Sequence, residues 1–318
     1  MHPPPRHTRL ITARSTAGFI ALVLMLYAAA ATLADRWIAR TPGSRPFQIL
    51  LARQGQTVDW LVIGSSHAMP LEFGGIPARL GAETGQSMMV LAETGAGPLY
   101  ALFVARQAHA DLTARRVLYI LDDFAFYAPD WNEDRIADRT LLRHTPTRLS
   151  TASGLWQMVR RESVPVTALA DYLTAFSKLN PPERFPQPGW EGRAAFDKGF
   201  RPSRHAIQSR AEYLFPDGTD MATANRYLGT LEKLIAETHA AGSEIEILRL
   251  PVAGPFRDAL PDLNAFDARL GQMLQRLNVP LHDLRAELPG PEFYFDPDHL
   301  NRQGMETLYE SHLQSILH

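Results

Sequence analysis

Cysteine is absent from all 318 residues. That excludes disulfides, thiolate nucleophiles and Cys-ligated zinc, and it suits an oxidising compartment. Lysine is scarce, and arginine carries most of the positive charge. Acids balance it, so the formal net charge is −2 and the sequence pI about 6.6. Without a broad basic excess, nucleic acid is not an expected partner. There is no Gly-rich phosphate loop, no internal repeat and no low-complexity tract. Long hydrophobic runs are also missing, with one exception near the N-terminus.

That exception is the uncharged stretch Ala17 to Ala34, preceded by Arg6, Arg9 and Arg14. Its length sits at the lower edge of the roughly 17–25 residues that span a bilayer. Two readings follow. One is an uncleaved signal anchor over residues 15–36, after a short tail at 1–14. The other is a cleaved signal peptide with its small-residue site between Ala28 and Ala34. The long apolar core favours the anchor. Arg36, Arg40, Arg45 and Arg53 follow the segment, so the positive-inside count does not fix orientation. The short tail and the large cysteine-free body favour export of the body, and the expectation is a single-pass inner-membrane protein with a periplasmic domain.

Residues 37–57 read as a connector broken by Pro42, Gly43 and Pro46. Residues 58–318 then alternate strand and helix signals, the pattern of an α/β domain with a mostly parallel sheet. Strands are expected at Trp60–Ile63, Met88–Ala92, Arg116–Leu121, Glu244–Leu250 and Val279–Leu284. The first, third and fourth should be parallel neighbours. Helices are expected from Pro98, over Ala224–Ala241 and Leu263–Leu277, and from about Asn301 to Leu317. An irregular insertion covers about 150–205. Its first part has helical spacing, and its 178–205 part is rich in Pro and Gly, with Phe185, Trp190, Phe196 and Phe200 suggesting that it packs.

Three clusters fall at expected strand ends, where open parallel sheets bind ligands: Ser65 and Ser66 after the first strand, Gly95 after the second, Asp122 and Asp123 after the third. Far downstream the chain reads Phe295-Asp296-Pro297-Asp298-His299-Leu300-Asn301. A serine, a histidine and an aspartate suffice to make an alcohol nucleophilic at neutral pH. His299 would take the serine proton, and Asp296 would hold the imidazole tautomer. The helix opened by the serine turn offers N–H groups to a developing oxyanion. Other readings were open to these residues. His67 reads as a turn or helix-start residue. Asp296, Asp298 and His299, with Asp122 or Asp123, could ligate a hard cation, but no further His or carboxylate motif supports a metal. Asp122-Asp123 after a strand would suit an aspartyl-phosphate site, yet it lacks a partner lysine. Gly64 to Ala68 nearly matches the Gly-x-Ser-x-Gly elbow, but here the serine follows the first strand and the acid adjoins the histidine.

This order of motifs resembles the SGNH (GDSL-like) hydrolase superfamily, whose nucleophile follows the first strand and whose Asp-x-x-His lies near the C-terminus. The likeness covers about residues 58–318. It looks closest to bacterial membrane-anchored members with Gly-Ser-Ser or Asp-Ser-His in the first block, some of which serve in exopolysaccharide O-acetylation. The resemblance implies a flavodoxin-like α/β/α sandwich with a shallow, open site. It picks Ser66 over Ser65 as nucleophile, completes a triad with His299 and Asp296, and gives Gly95 an oxyanion role beside Ser66. No cofactor is implied. The implied partners are an acylated glycan or an acyl-donor membrane protein. Two blocks depart from the family: Val90-Leu91 replaces an Asn-Leu start, and Leu121-Asp122-Asp123-Phe124 stands where Gly-x-Asn-Asp belongs. An ionised carboxylate there would repel an oxyanion, which keeps a transferase or a non-catalytic glycan- or partner-binding module in view.

Overall fold

The computed structural model describes residues 6–41, 43, 45–182 and 191–318, with side chains from residue 15 onward. Its centre is one parallel sheet of β1 (Thr57–Gly64), β2 (Met88–Ala92), β3 (Thr113–Ile120), β4 (Glu244–Arg249) and β5 (Leu281–Asp283), in the order β2-β1-β3-β4-β5. The expected adjacency of the first, third and fourth strands is what forms.

The central strands are apolar toward their carboxyl ends because both faces are covered there. Along β1, Val58, Leu61 and Ile63 enter one core while Trp60 and Val62 enter the other. β3 divides likewise, with Val117 and Tyr119 on one side and Leu118 and Ile120 on the other. Helices Pro98–Asp111, Met221–Ala240 and Asn264–Leu277 cover the first face; Ile76–Thr84 and the C-terminal segment cover the second. The result is a three-layer sandwich. The chain runs outward from β1 to β2 and returns to the other side of β1 as β3. The β1/β3 boundary is therefore a topological switch point, with a crevice beyond the carboxyl ends of the strands.

Local signals explain some boundaries. Asp220 caps the Met221–Ala240 helix by accepting from the Ala222 and Thr223 N–H groups, and Gly242, at φ +84°, ends it. Several bounds differ from expectation. β1 and β3 begin three residues early, where Thr57 and Val58 pair with Thr113 and Ala114, and Arg115 meets Asp59 across these ends at 2.7 Å. β5 shrinks to three residues. The expected C-terminal helix is interrupted by a wide π turn, Tyr309–Leu313, between Arg302–Leu308 and Gln314–Leu317.

The insertion is more regular than its composition suggests, with helices Leu149–Arg161, Val166–Thr174, Phe176–Leu179 and Gly192–Ala195. Phe196 is buried as expected; Phe185 and Trp190 lie outside the described residues. Within the connector, Pro46–Ala52 is a helix that puts Phe47 and Leu50 into the core.

The N-terminal helix runs Arg6–Arg40, and its Ser15–Arg40 part is long and apolar enough to cross a membrane. Its last turns rest on the domain. Ile38 is buried, Asp35 pairs with the Lys178 ammonium at 2.6 Å and accepts the Thr147 N–H at 2.8 Å, and the Tyr27 hydroxyl donates to the Thr174 carbonyl at 2.9 Å.

Candidate active site

β1 ends at Gly64, whose missing side chain lets Ile120 and Ala68 close in; a Cβ there would lie 2.8 Å from Ile120. The chain then turns through Ser65, in extended conformation, into a 3-10 turn over Ser66–Ala68. Ser65 is the cap of this turn. Its hydroxyl accepts the His67 N–H at 3.3 Å and donates to the Asp122 carboxylate in a short hydrogen bond. Ser66 opens the turn, where backbone N–H groups have no intrahelical acceptor.

Its hydroxyl lies 2.9 Å from His299 Nε2, although 233 positions separate the two residues. On the other side of the ring, His299 Nδ1 is 2.9 Å from both Asp296 carboxylate oxygens. Asp296 is aimed by its own loop: one oxygen also accepts the Asp298 and His299 N–H groups at 3.1 and 2.8 Å, an Asx turn that folds the carboxylate over the chain. With Nδ1–H donating to Asp296, Nε2 is left to accept the Ser66 proton. Ser66, His299 and Asp296 thus stand in one line. Ser65, held by Asp122, does not join it.

A second imidazole stands behind the first. His67 is buried, its ring centroid 4.4 Å from that of His299. Its Nδ1 is 2.5 Å from Asp122 and its Nε2 3.1 Å from Asp298. Burial alone would push this imidazole down, but Asp122 and then Asp298 outweigh it and raise it to about 10. His67 is therefore an imidazolium at neutral pH. Asp298 is buried too, and burial opposes its charge. The Arg210 guanidinium, contacting both its oxygens at 2.7–3.0 Å, and the two imidazoles prevail and hold it well below the usual carboxylate range.

His67, Asp298 and His299 carry ligand atoms within 4.8 Å of one another. Asp298 is occupied by Arg210, both His67 nitrogens face carboxylates, and His299 faces Ser66. These donors already share protons, and the cluster suits acid–base chemistry better than a cation.

Asp122 and Asp123 part company. Asp122 serves His67 and Ser65, so its charge is met by an imidazolium rather than left to repel an oxyanion. Asp123 turns to Arg249 at 2.6 Å and Arg285 at 3.2 Å, away from the Ser66 line; burial raises its carboxyl against the pull of both guanidinium groups. Gly95 stands in a left-handed turn, φ +65°, against the Trp131 ring. The β1–β2 register pairs Gly64 with Ala92, and the Glu93 N–H donates to the Gly64 carbonyl at 3.2 Å. The Ser66 and Gly95 turns therefore leave adjacent strands side by side.

The side chains of the Ser66 line are themselves largely covered. Ser66 is 4% and His299 1% exposed. Phe295 stacks on the His299 ring at 5.5 Å, and Arg210, from the Arg204–Leu214 helix, closes over Asp298. A cavity of about 590 Å³ begins behind His67, Asp122 and Asp298, with Leu121, Leu214 and Phe256 in its walls. Sequence reasoning missed Arg210, one of two arginines on a polar helix; it placed His67 in the turn, where it is, but not its contacts with Asp122 and Asp298. The signal for His67 was its place directly after two serines at a strand end.

No protein-family model matches the chain, and no curated protein matches it. Solved structures do resemble it. One, from Bacteroides fragilis, is described as an acylhydrolase; it has 12% identity and a TM-score of 0.43, and the match covers 88% of this chain and 98% of that one. A GDSL-like lipase from Bacteroides thetaiotaomicron has 10% identity and a TM-score of 0.39, covering 91% and 96%. A Streptococcus pneumonia protein described as a platelet activating factor has 14% identity and a TM-score of 0.39, covering 96% and 99%. At TM-scores below 0.5, neither the fold nor the chemistry of this chain rests on them.

Proposed function

We propose that this chain is a membrane-tethered serine esterase or O-acyltransferase acting on acylated cell-envelope or exopolysaccharide glycans. The observation that carries the reading is the alignment of Ser66 Oγ, both His299 nitrogens and the Asp296 carboxylate, each step 2.9 Å. In this reading His299 Nε2 takes the Ser66 proton as the oxygen attacks an ester carbonyl. Asp296 stabilises the imidazolium that results. The N–H groups of Ser66 and Gly95 hold the oxyanion. His299 then returns the proton to the departing alcohol, leaving the acyl group on Ser66. Water or a sugar hydroxyl, deprotonated by the same nitrogen, releases it.

The tether is the Ser15–Arg40 segment, with the domain on the periplasmic side of an inner membrane. The cysteine-free body suits that side. An enzyme held at the surface meets envelope polymers or a membrane acyl donor at raised effective concentration. The cavity behind His67, lined by apolar and charged side chains alike, offers room for part of such a substrate.

A fluorophosphonate probe tests the chemistry: it should label wild type at Ser66, and Ser66→Ala should not be labelled. An unlabelled, folded wild type would favour a non-catalytic module, the reading that the altered third block suggests. Acetyl-ester turnover with an added oligosaccharide then separates hydrolysis from transfer, by whether acetate or acetylated sugar accumulates. A C-terminal phosphatase fusion reports the side of the membrane.

A further inference from the structure

The insertion helix Val166–Thr174 has an unusual surface. Its inner face, Ala168, Leu169 and Tyr172, is buried. Its outer face presents Val166, Ala170 and Leu173, at i, i+4 and i+7, with Thr167 and Thr174. Val166 and Leu173 are 63% and 60% exposed, and Phe176 follows at 47%. Single exposed apolar residues mean little. A helix apolar on both faces is different: in water, its outer stripe should carry charge. Asp171, the only charged residue on it, turns inward and accepts both the N–H and the hydroxyl of Ser177. Lys178, just beyond, is also internal and tied to Asp35.

The position of this helix says what covers it. Tyr27, which holds the Thr174 carbonyl, lies within the uncharged Ala17–Ala34 stretch. At 1.5 Å per residue, it is about 10 Å inside Ala34, the last residue before the charged pair Asp35-Arg36. Helical side chains also tilt toward the N-terminus, so its hydroxyl reaches deeper still. Amphipathic helices that lie in a membrane surface bury their apolar face by about 5–10 Å. The Thr174 carbonyl belongs to a last helical turn and has no partner in its own helix; away from water it needs one, and Tyr27 supplies it. At the level where the chain leaves the bilayer, Trp37 is 76% exposed, and the Arg139 guanidinium lies 5.1 Å over the Phe176 ring. Both groups suit a headgroup layer.

We infer that the Val166–Thr174 helix and the turn into Phe176 form a second membrane contact, lying in the bilayer surface beside the N-terminal helix. The inference rests on the reading that the Ser15–Arg40 segment spans a membrane, and the test separates the two. Because the chain has no cysteine, single labels are unambiguous. Leu173→Cys, Leu22→Cys and Gln272→Cys, the last on the helix leading into β5 at the sheet edge opposite β2, are labelled with NBD in the full chain. Each is reconstituted in phosphatidylcholine–phosphatidylglycerol vesicles with or without doxyl lipids. Unchanged thermal melts establish that the variants fold. Labels at 22 and 173 should lose emission to doxyl lipid, and the label at 272 should lose it only to aqueous iodide. If 22 is quenched by lipid while 173 answers only to iodide, the helix faces water or a protein partner and the inference is overturned with the anchor intact. If neither 22 nor 173 answers to lipid, the anchor reading fails and the inference falls with it.

Discussion

At the scale of residues, two serines side by side have different work. Ser66→Ala removes the hydroxyl facing His299 and should cut acetyl-ester turnover by on the order of 10⁴-fold or more. Ser65→Ala removes a turn cap and one partner of Asp122, and should cost no more than about tenfold. Comparable losses in the two variants would break the assignment. His67 gives a pH signature. Its folded value, about 10, lies above the 6.5 of a free imidazole. The stabilisation by its charge is thus complete below about pH 6.5 and is lost as pH climbs through about 10. Urea midpoints of wild type should fall across that window, and His67→Gln should flatten the fall. An equal slope in both would show that the imidazolium is not the cause. Ser66, Asp296 and His299 were legible because they lie in two short stretches, one at a strand end and one near the C-terminus, whose order resembles that of a known family. The His67–Asp122–Asp298–Arg210 network was not. Its members come from four segments, and only folding shows which carboxylate faces which cation.

At the scale of elements, strands covered on both faces betray themselves by apolar runs toward their carboxyl ends, so β1 to β4 could be placed from sequence. β5 could not be bounded, because His282 and Asp283 face partners, Glu246 and Arg249, rather than a core. The Pro46–Ala52 helix was hidden by the breakers around it, although a proline suits a first helical turn. Asn132 was invisible too, since nothing local marks it. It is fully buried in the loop after β3. Its side chain accepts the Leu99 N–H at 3.0 Å and donates to the Ala125 and Ala128 carbonyls at 2.8 and 3.0 Å. That fastens the third strand's loop to the first turn of the helix after Gly95. Asn132→Ala strands three buried backbone groups and should destabilise the domain by about 3 kcal/mol, read as a lower urea midpoint at unchanged slope. A loss below about 1 kcal/mol would mean that water replaces the side chain.

At the scale of the whole molecule, the join between N-terminal helix and domain decides how the parts move together. Asp35, Lys178 and Thr147 lock the join, and Gln48 adds a bond to the Ile38 carbonyl at 3.3 Å. Spin labels at Arg40→Cys and Gln272→Cys should give a narrow distance distribution by double electron–electron resonance. Asp35→Ala, which leaves the Lys178 ammonium buried without its carboxylate, should broaden it. A distribution already broad in wild type would mean that the helix swings freely. A bolted stalk has a consequence that a flexible leash does not. In the proposed tether it would fix the altitude and tilt of Ser66, so the domain could search only by drifting sideways and spinning about one axis. Substrates would then be sorted by where they carry an ester as well as by what ester they carry, and a polymer holding it a few nanometres too high would pass overhead untouched.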